Sequence, residues 1–279
     1  MERIKEAVER ARQEREGGGL GFGRIGRAGP APQTSTQDGL GQIAYTKTRT
    51  VAVPRFTLRD KHIVSGFQPC GFTEAFKILS TLVSHKLREH HWTTLAVTSP
   101  GEGEGKTLVA INLAISLAME FQQTSLLVEA DLRKPSVCDY FGLEPGPGLS
   151  DYLTSDTPIE QLLINPGVPR FVMLPGGTAQ LHSSEMLGWR KMSALVEELK
   201  TRYASRIVVF DLPPLLGAAD VIAFAPHIEA ALLVVEEGKT QRDEIRRVAE
   251  LLSSTHLIGT VLNKSDEPVM SVYGHPRPD

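Results

Sequence analysis

The chain has 279 residues, 41% of them hydrophobic and 23% charged, which is enough for one large α/β domain or two smaller ones of ordinary globular character. A formal charge of −3 gives no electrostatic ground for nucleic acid as a partner, and no run of about 18 apolar residues is present to cross a membrane. The two cysteines, Cys70 and Cys138, make neither a disulfide framework nor a metal cluster and are expected to be reduced, as in a cytoplasmic protein.

Residues 1–16 are charged throughout, unlike a secretory signal. Ile4, Ala7, Val8 and Ala11 form a narrow apolar stripe there, predicting either a solvated helix or a docking helix. Residues 17–41, rich in Gly with Pro30 and Pro32, read as a flexible linker. A single nucleotide-binding domain is expected over 42–275, followed by a short tail at 276–279. Its first part, 42–70, carries only short extended patterns such as the one at 50–53. Residues 72–89 predict an amphipathic helix with Phe76, Leu79, Leu82 and Val83 on its apolar face. From Trp92 onward, strand and helix patterns alternate. Strands are expected at 94–98, 125–130, 171–174, 206–211, 230–235 and 258–262, and helices at 106–121, 148–164, 183–204, 217–225 and 240–254. That order predicts an α/β fold with a mainly parallel sheet flanked by helices on both faces and a ligand crevice at the carboxyl ends of the strands.

Chemistry-bearing residues cluster just after the predicted strands. After the first comes Ser99-Pro100-Gly101-Glu102-Gly103-Glu104-Gly105-Lys106-Thr107-Leu108. It departs from the usual phosphate loop G-x4-G-K-[ST] only at Pro100, which stands in the first glycine position. Backbone N–H groups of residues 101–108 can wrap a phosphate chain at a helix N-terminus, with Lys106 reaching the phosphates and Thr107 ligating Mg²⁺. The next apolar strand ends in Glu129-Ala130-Asp131-Leu132-Arg133. Carboxylates at i and i+2 share a strand face and can hold the waters of Mg²⁺ or accept a hydroxyl proton, and Arg133 can neutralise phosphate charge. Four apolar residues at 207–210 run into Asp211, a Walker B pattern for a carboxylate that orients Mg²⁺ or its waters. Asp220 reads as a helix N-cap or as a site residue. Asn263-Lys264-Ser265-Asp266 closes the last strand. It suits an Asn263 amide that contacts adenine, matches the guanine-selecting N-K-x-D pattern, or is a plain surface turn. His182, His227 and His256 lack metal-ligand spacing. The turn Leu174-Pro175-Gly176-Gly177 is expected on the rim of the crevice.

Taken together, the segments at 98–114, 126–137, 174–177, 207–226, 232–240 and 259–264 resemble the bacterial tyrosine kinases of capsule and exopolysaccharide export, of the CpsD/CapB type. These are P-loop proteins related to the MinD/ParA ATPases. The opening helix and linker resemble the subgroup encoded beside exosortase-linked exopolysaccharide genes. The resemblance implies ATP with Mg²⁺ as cofactors, Lys106 on the phosphates, Thr107 on the metal, and Asp131 and Asp211 organising its water shell. It also implies a catalytic role for position 129, usually Asp and here Glu129, in deprotonating the acceptor tyrosine. Its implied partner is a membrane chain-length regulator of polysaccharide export, which would recruit a cytoplasmic chain to the inner face of the membrane.

Two departures from the family pattern stand out. The ring-forming E-x2-R-x2-R of the family reads here Glu74, Lys77, Ser80, which removes Arg's fork at one place and all charge at the other. Where the family has a tyrosine cluster at its end, this chain has Tyr273 as its one candidate acceptor there. Three readings follow: an autophosphorylating tyrosine kinase, an ATP-binding switch of the same export system with weak or no kinase activity, and a MinD/ParA-type ATPase. The last places a lysine five residues before the loop lysine, where this chain has Gly101.

Overall fold

Long apolar runs with no polar alternation are what strands need when both faces of a sheet are covered. The computed structural model describes residues 48–63, 71–120, 123–202 and 205–266. The expected helix at 2–16, the linker at 17–41, the tail, Cys70 and Tyr273 lie outside the described residues. The strands are β1 (Arg49–Thr50), β2 (Thr94–Thr98), β3 (Thr124–Glu129), β4 (Ile164–Asn165), β5 (Phe171–Leu174), β6 (Arg206–Asp211), β7 (Ala230–Glu236) and β8 (His256–Asn263). They form one sheet in the order β1-β4-β5-β3-β6-β2-β7-β8. Every pairing is parallel except β4 with β5.

The helices are α1 (Arg55–Asp60), α2 (Gly71–His90), α3 (Lys106–Met119), α4 (Val137–Tyr140), α5 (Leu149–Thr154), α6 (Ile159–Leu162), α7 (Ser183–Leu187), α8 (Arg190–Thr201), α9 (Asp220–Phe224) and α10 (Arg242–Leu251). The period-2 alternation of strand side chains divides the core in two. Leu95, Val97, Leu127, Val209 and Leu232 face one way and pack with α2 and α3. Ala96, Leu126, Val128, Phe210 and Leu233 face the other way and pack with α5, α8 and α9. The parallel sheet covered on both faces is the architecture expected from the alternating pattern.

Several local expectations are corrected. The helix at 148–164 is two short helices, because Pro158 is extended at ψ 136° and starts α6 rather than continuing α5. The helix at 183–204 breaks at Gly188 and Trp189. On α2, Val83 is buried but Leu82 is 62% exposed, so the apolar face is rotated from the one expected. Two-residue β1 and β4 and the single turn and a half of α1 carry too few residues for any periodicity to register.

The register sets the crevice. Asp211, at the end of β6, lies opposite Val97 of β2 on one side and Glu129 of β3 on the other. The phosphate loop, the acidic end of β3 and the acidic end of β6 therefore emerge side by side at the centre of the sheet.

Candidate active site

Residues 99–105 turn from β2 into α3, whose first residue is Lys106. Gly105 caps the helix at φ +90°, where a Cβ would lie 2.1 Å from Asn263 Nδ2, so backbone strain and space both demand glycine. The first N–H groups of α3 have no acceptor within the helix. Among the described residues, the N–H groups of residues 102–105 also donate to nothing, whereas Gly101 N–H is taken by Glu104 Oε2 at 2.9 Å. N–H groups without acceptors at a helix N-terminus are what an anion site needs.

Lys106 Nζ lies 2.7 Å from Asp131 Oδ2, 3.8 Å from Asp211 Oδ1 and 3.3 Å from Thr107 Oγ1. The structure thus brings together Lys106, Thr107, Asp131 and Asp211 of the residues expected to handle phosphate and metal. Burial works against the Lys106 ammonium, but Asp211 and Asp131 outweigh it and raise its pKa. Asp211 is fully buried and neither of its carboxylate oxygens receives a hydrogen bond. Burial pushes it up to about 6, although Lys106 and the neighbouring Thr107 hydroxyl, which is close but outside hydrogen-bond geometry, favour the anion. A buried carboxylate without hydrogen-bond donors, beside a threonine hydroxyl and a second carboxylate, fits Mg²⁺, which keeps several waters and takes only one or two carboxylates from the protein. Among the described residues, no group of three or more His, Cys, Asp or Glu side chains is arranged as an all-protein metal cage.

The two carboxylates of β3's end do not work together as expected. Asp131 meets Lys106, while Glu129 turns to the backbone N–H groups of Ser136, Val137 (2.8 Å) and Gly176 (2.7 Å). Burial pushes Glu129 up to about 7 against these three donors. Its extra methylene lets it join the start of α4 to the Pro175-Gly176 turn. That turn does stand on the crevice rim. Beside Glu129 opens a cavity of about 390 Å³, walled by Pro135, Pro145 and Pro175 and bordered by Ser136, Asp139 and Thr178.

Arg133 Nε is 3.0 Å from both Asp220 Oδ2 and Ser183 Oγ, so Asp220 is the buried partner of Arg133. It is not an N-cap, since Ala219 holds that position in α9. Glu102 is exposed and paired with Lys134 at 2.8 Å. The Asn263 amide nitrogen donates to Glu104 O at 2.8 Å, bracing the loop from β8. Asp266 is exposed and its N–H donates to Glu237 Oε2 at 3.2 Å. Sequence reasoning missed Thr240, whose hydroxyl donates to Glu104 Oε1, and Lys239, which donates to Glu102 O at 2.8 Å. A signal for both was present: Glu-Gly-Lys-Thr occurs at 104–107 and again at 237–240. His182 and His256 sit near Glu185 and the carbonyl of Glu229, and His227 near Ser193.

No family model matches the chain. It is 29% identical over 219 residues to tyrosine-protein kinase YwqD of Bacillus subtilis, covering 77% of this chain and 91% of that protein. It is 30% identical over 204 residues to the putative tyrosine-protein kinase EpsB of Ralstonia solanacearum, covering 72% of this chain but 27% of that much longer protein. Among solved structures, the VpsO kinase domain superposes with a TM-score of 0.62 at 28% identity, covering 70% of this chain and 97% of the other. MinD of Pyrococcus horikoshii, a septum site-determining protein solved with Mg-ADP, superposes at 0.52 with 22% identity over 62% of this chain and 72% of its own, a likeness of fold.

Proposed function

We propose that this chain is a bacterial tyrosine kinase with a MinD-like P-loop fold, and that it binds ATP with Mg²⁺ and transfers the γ-phosphoryl group to a tyrosine hydroxyl. The observation that carries the reading is the convergence of Lys106, Thr107, Asp131 and Asp211 beneath a loop with free N–H groups. The N–H groups of residues 102–105 and Lys106 hold the phosphates. Thr107, Asp131 and Asp211 hold Mg²⁺ and its waters, and the bound metal neutralises charge on the phosphate oxygens. The work of the protein in such a transfer is positioning and electrostatics rather than covalent chemistry. Asn263 spends its amide N–H on Glu104 O, which leaves its carbonyl oxygen as an acceptor for an amino group such as adenine's. That arrangement favours ATP over GTP. Arg133, anchored by Asp220, keeps its guanidinium tip for phosphate charge. The proline-walled cavity beside Glu129 suits an aromatic acceptor side chain.

The partner we propose is a membrane chain-length regulator of polysaccharide export, which brings this domain to the cytoplasmic face. EpsB, of which this chain matches 27%, has length to spare for such a part within one polypeptide. No helix among the described residues is long and apolar enough to cross a membrane.

Incubation with Mg-ATP is expected to label the protein, or a partner's cytoplasmic segment, on tyrosine. Lys106→Ala and Asp211→Asn are both expected to abolish labelling, the second without loss of fold by circular dichroism. Tight nucleotide binding with no phosphotyrosine in any combination would leave the ATP-binding switch as the function.

A further inference from the structure

The two copies of Glu-Gly-Lys-Thr touch each other in the folded chain. The first, at 104–107, opens α3; the second, at 237–240, lies in the turn between β7 and α10. Glu104 is 2% exposed, and its carboxylate is divided between Gly101 N–H and the Thr240 hydroxyl. Thr240 Oγ1 in turn accepts Glu236 N–H at 2.9 Å, so that hydroxyl donates one hydrogen bond and accepts another. Outside the carboxylate, three consecutive carbonyls of the phosphate loop are each held by a side chain. Glu102 O takes Lys239 Nζ at 2.8 Å, Gly103 O takes Lys264 Nζ at 2.7 Å and Glu104 O takes Asn263 Nδ2 at 2.8 Å. Lys239 and Lys264 are themselves gathered by Glu236 at 3.2 and 3.0 Å.

A trans peptide plane points its C=O and the following N–H in opposite directions. Pulling the carbonyls of 102, 103 and 104 toward the ends of β7 and β8 therefore turns the N–H groups of 103, 104 and 105 the other way. Those N–H groups have no acceptor among the described residues. We infer that the turn at 237–240 with Asn263 and Lys264 is a clamp that shapes the phosphate loop before any anion arrives, with Thr240 as its central positioning residue. The clamp rests on the nucleotide reading of the loop for its purpose, but not for its existence. It makes the Glu104 side chain the loop's own internal strut, while the Glu104 N–H stays on the anion side.

The test compares the full-length wild type with Thr240→Val, which keeps the shape and removes the hydroxyl, Thr240→Ser, which restores it, and Lys264→Ala, which acts from the exposed side. Two readouts are taken: amide hydrogen exchange of the peptide containing Gly101 without ligand, and Kd for Mg-ATP. Thr240→Val is expected to speed exchange and raise Kd each about tenfold, the size of one lost hydrogen bond to a buried charge. Thr240→Ser is expected within about twofold of wild type, and Lys264→Ala to raise Kd about threefold, its ion pair being half exposed. Wild-type values for both readouts in Thr240→Val, or a Thr240→Ser as impaired as the valine variant, overturn the clamp. If Thr240→Val does not fold, Lys264→Ala decides alone, and unchanged exchange and affinity overturn it. A wild type that binds no Mg-ATP refutes the nucleotide reading instead, and the exchange measurement then decides the clamp by itself.

Discussion

Asp211 stands in the folded chain as a carboxylate that nothing in the protein hydrogen-bonds, with Lys106 3.8 Å away. Its carboxyl is raised from the usual 3.8 to about 6, so between those pH values the folded chain keeps a proton that the unfolded chain has released. This group's contribution to stability therefore declines as pH rises from about 4 to about 6 and is level above. Asp211→Asn removes the burden and leaves Lys106 its bond to Asp131. The variant is expected to be more stable than wild type at pH 7 by about 1–3 kcal/mol in denaturant titration, with the difference shrinking below pH 6. Cys138 gives a second residue-scale prediction. Burial first, then the charges of Glu129 and Asp139, push its thiol up to about 11. Iodoacetamide at pH 8 is expected to modify it at least tenfold more slowly in the native than in the urea-unfolded chain, read by peptide mass spectrometry. Which residues gather at the candidate site was legible in the sequence: Lys106, Thr107, Asp131 and Asp211 all lie at or beyond the carboxyl ends of strands. Where Glu104 and Glu129 aim their carboxylates was not. One donor of each, Thr240 for Glu104 and Gly176 for Glu129, is remote in sequence and is brought near by strand order.

At the scale of elements, the central strands were legible to within a residue or two, because continuous apolar runs ending in acid or Gly have few other readings. The edge of the sheet was not. β1 and β4 are two residues each, and β4 runs antiparallel to β5, so they follow from chain path rather than from pattern. The two broken helices show a second limit, since a periodic stretch says nothing of where a Pro158 or a Gly188 will cut it. The start of α5 is tied to the rim turn more closely than any helix propensity suggests. A Cβ on Gly148 would sit 2.1 Å from Pro175 O and 2.4 Å from Gly177 N. Leu149 N–H and Ser150 N–H donate to the carbonyls of Pro175 and Gly176 at 2.7 and 2.9 Å. Gly148→Ala is expected to drive this turn away from Glu129, lowering stability by about 1–3 kcal/mol by thermal melt. Exchange of Gly176 N–H is expected to quicken in the same variant.

For the molecule as a whole, the parallel sheet with two helical layers was predicted and found, and the family likeness agrees with it. Assembly is where this chain is expected to depart from the ring pattern. Glu74 and Lys77 pair with each other along α2 at 3.5 Å, and Ser80 faces inward, 3% exposed, with its hydroxyl on Lys77 O. The face that carries charge in the ring pattern has no guanidinium fork to offer a neighbour. Sedimentation velocity with Mg-ATP is expected to show no ring-sized species, and tyrosine labelling to depend on an added partner segment more than on protein concentration. The ammonium of Lys106 lodged between Asp131 and Asp211 has one more consequence for how the molecule fills. Lys106 is the counter-ion of both carboxylates, so loading is an ion exchange: a divalent cation enters only when phosphates are there to receive the displaced ammonium. Mg²⁺ alone is expected to give no binding isotherm by calorimetry, whereas Mg²⁺ with nucleotide enters as one cargo.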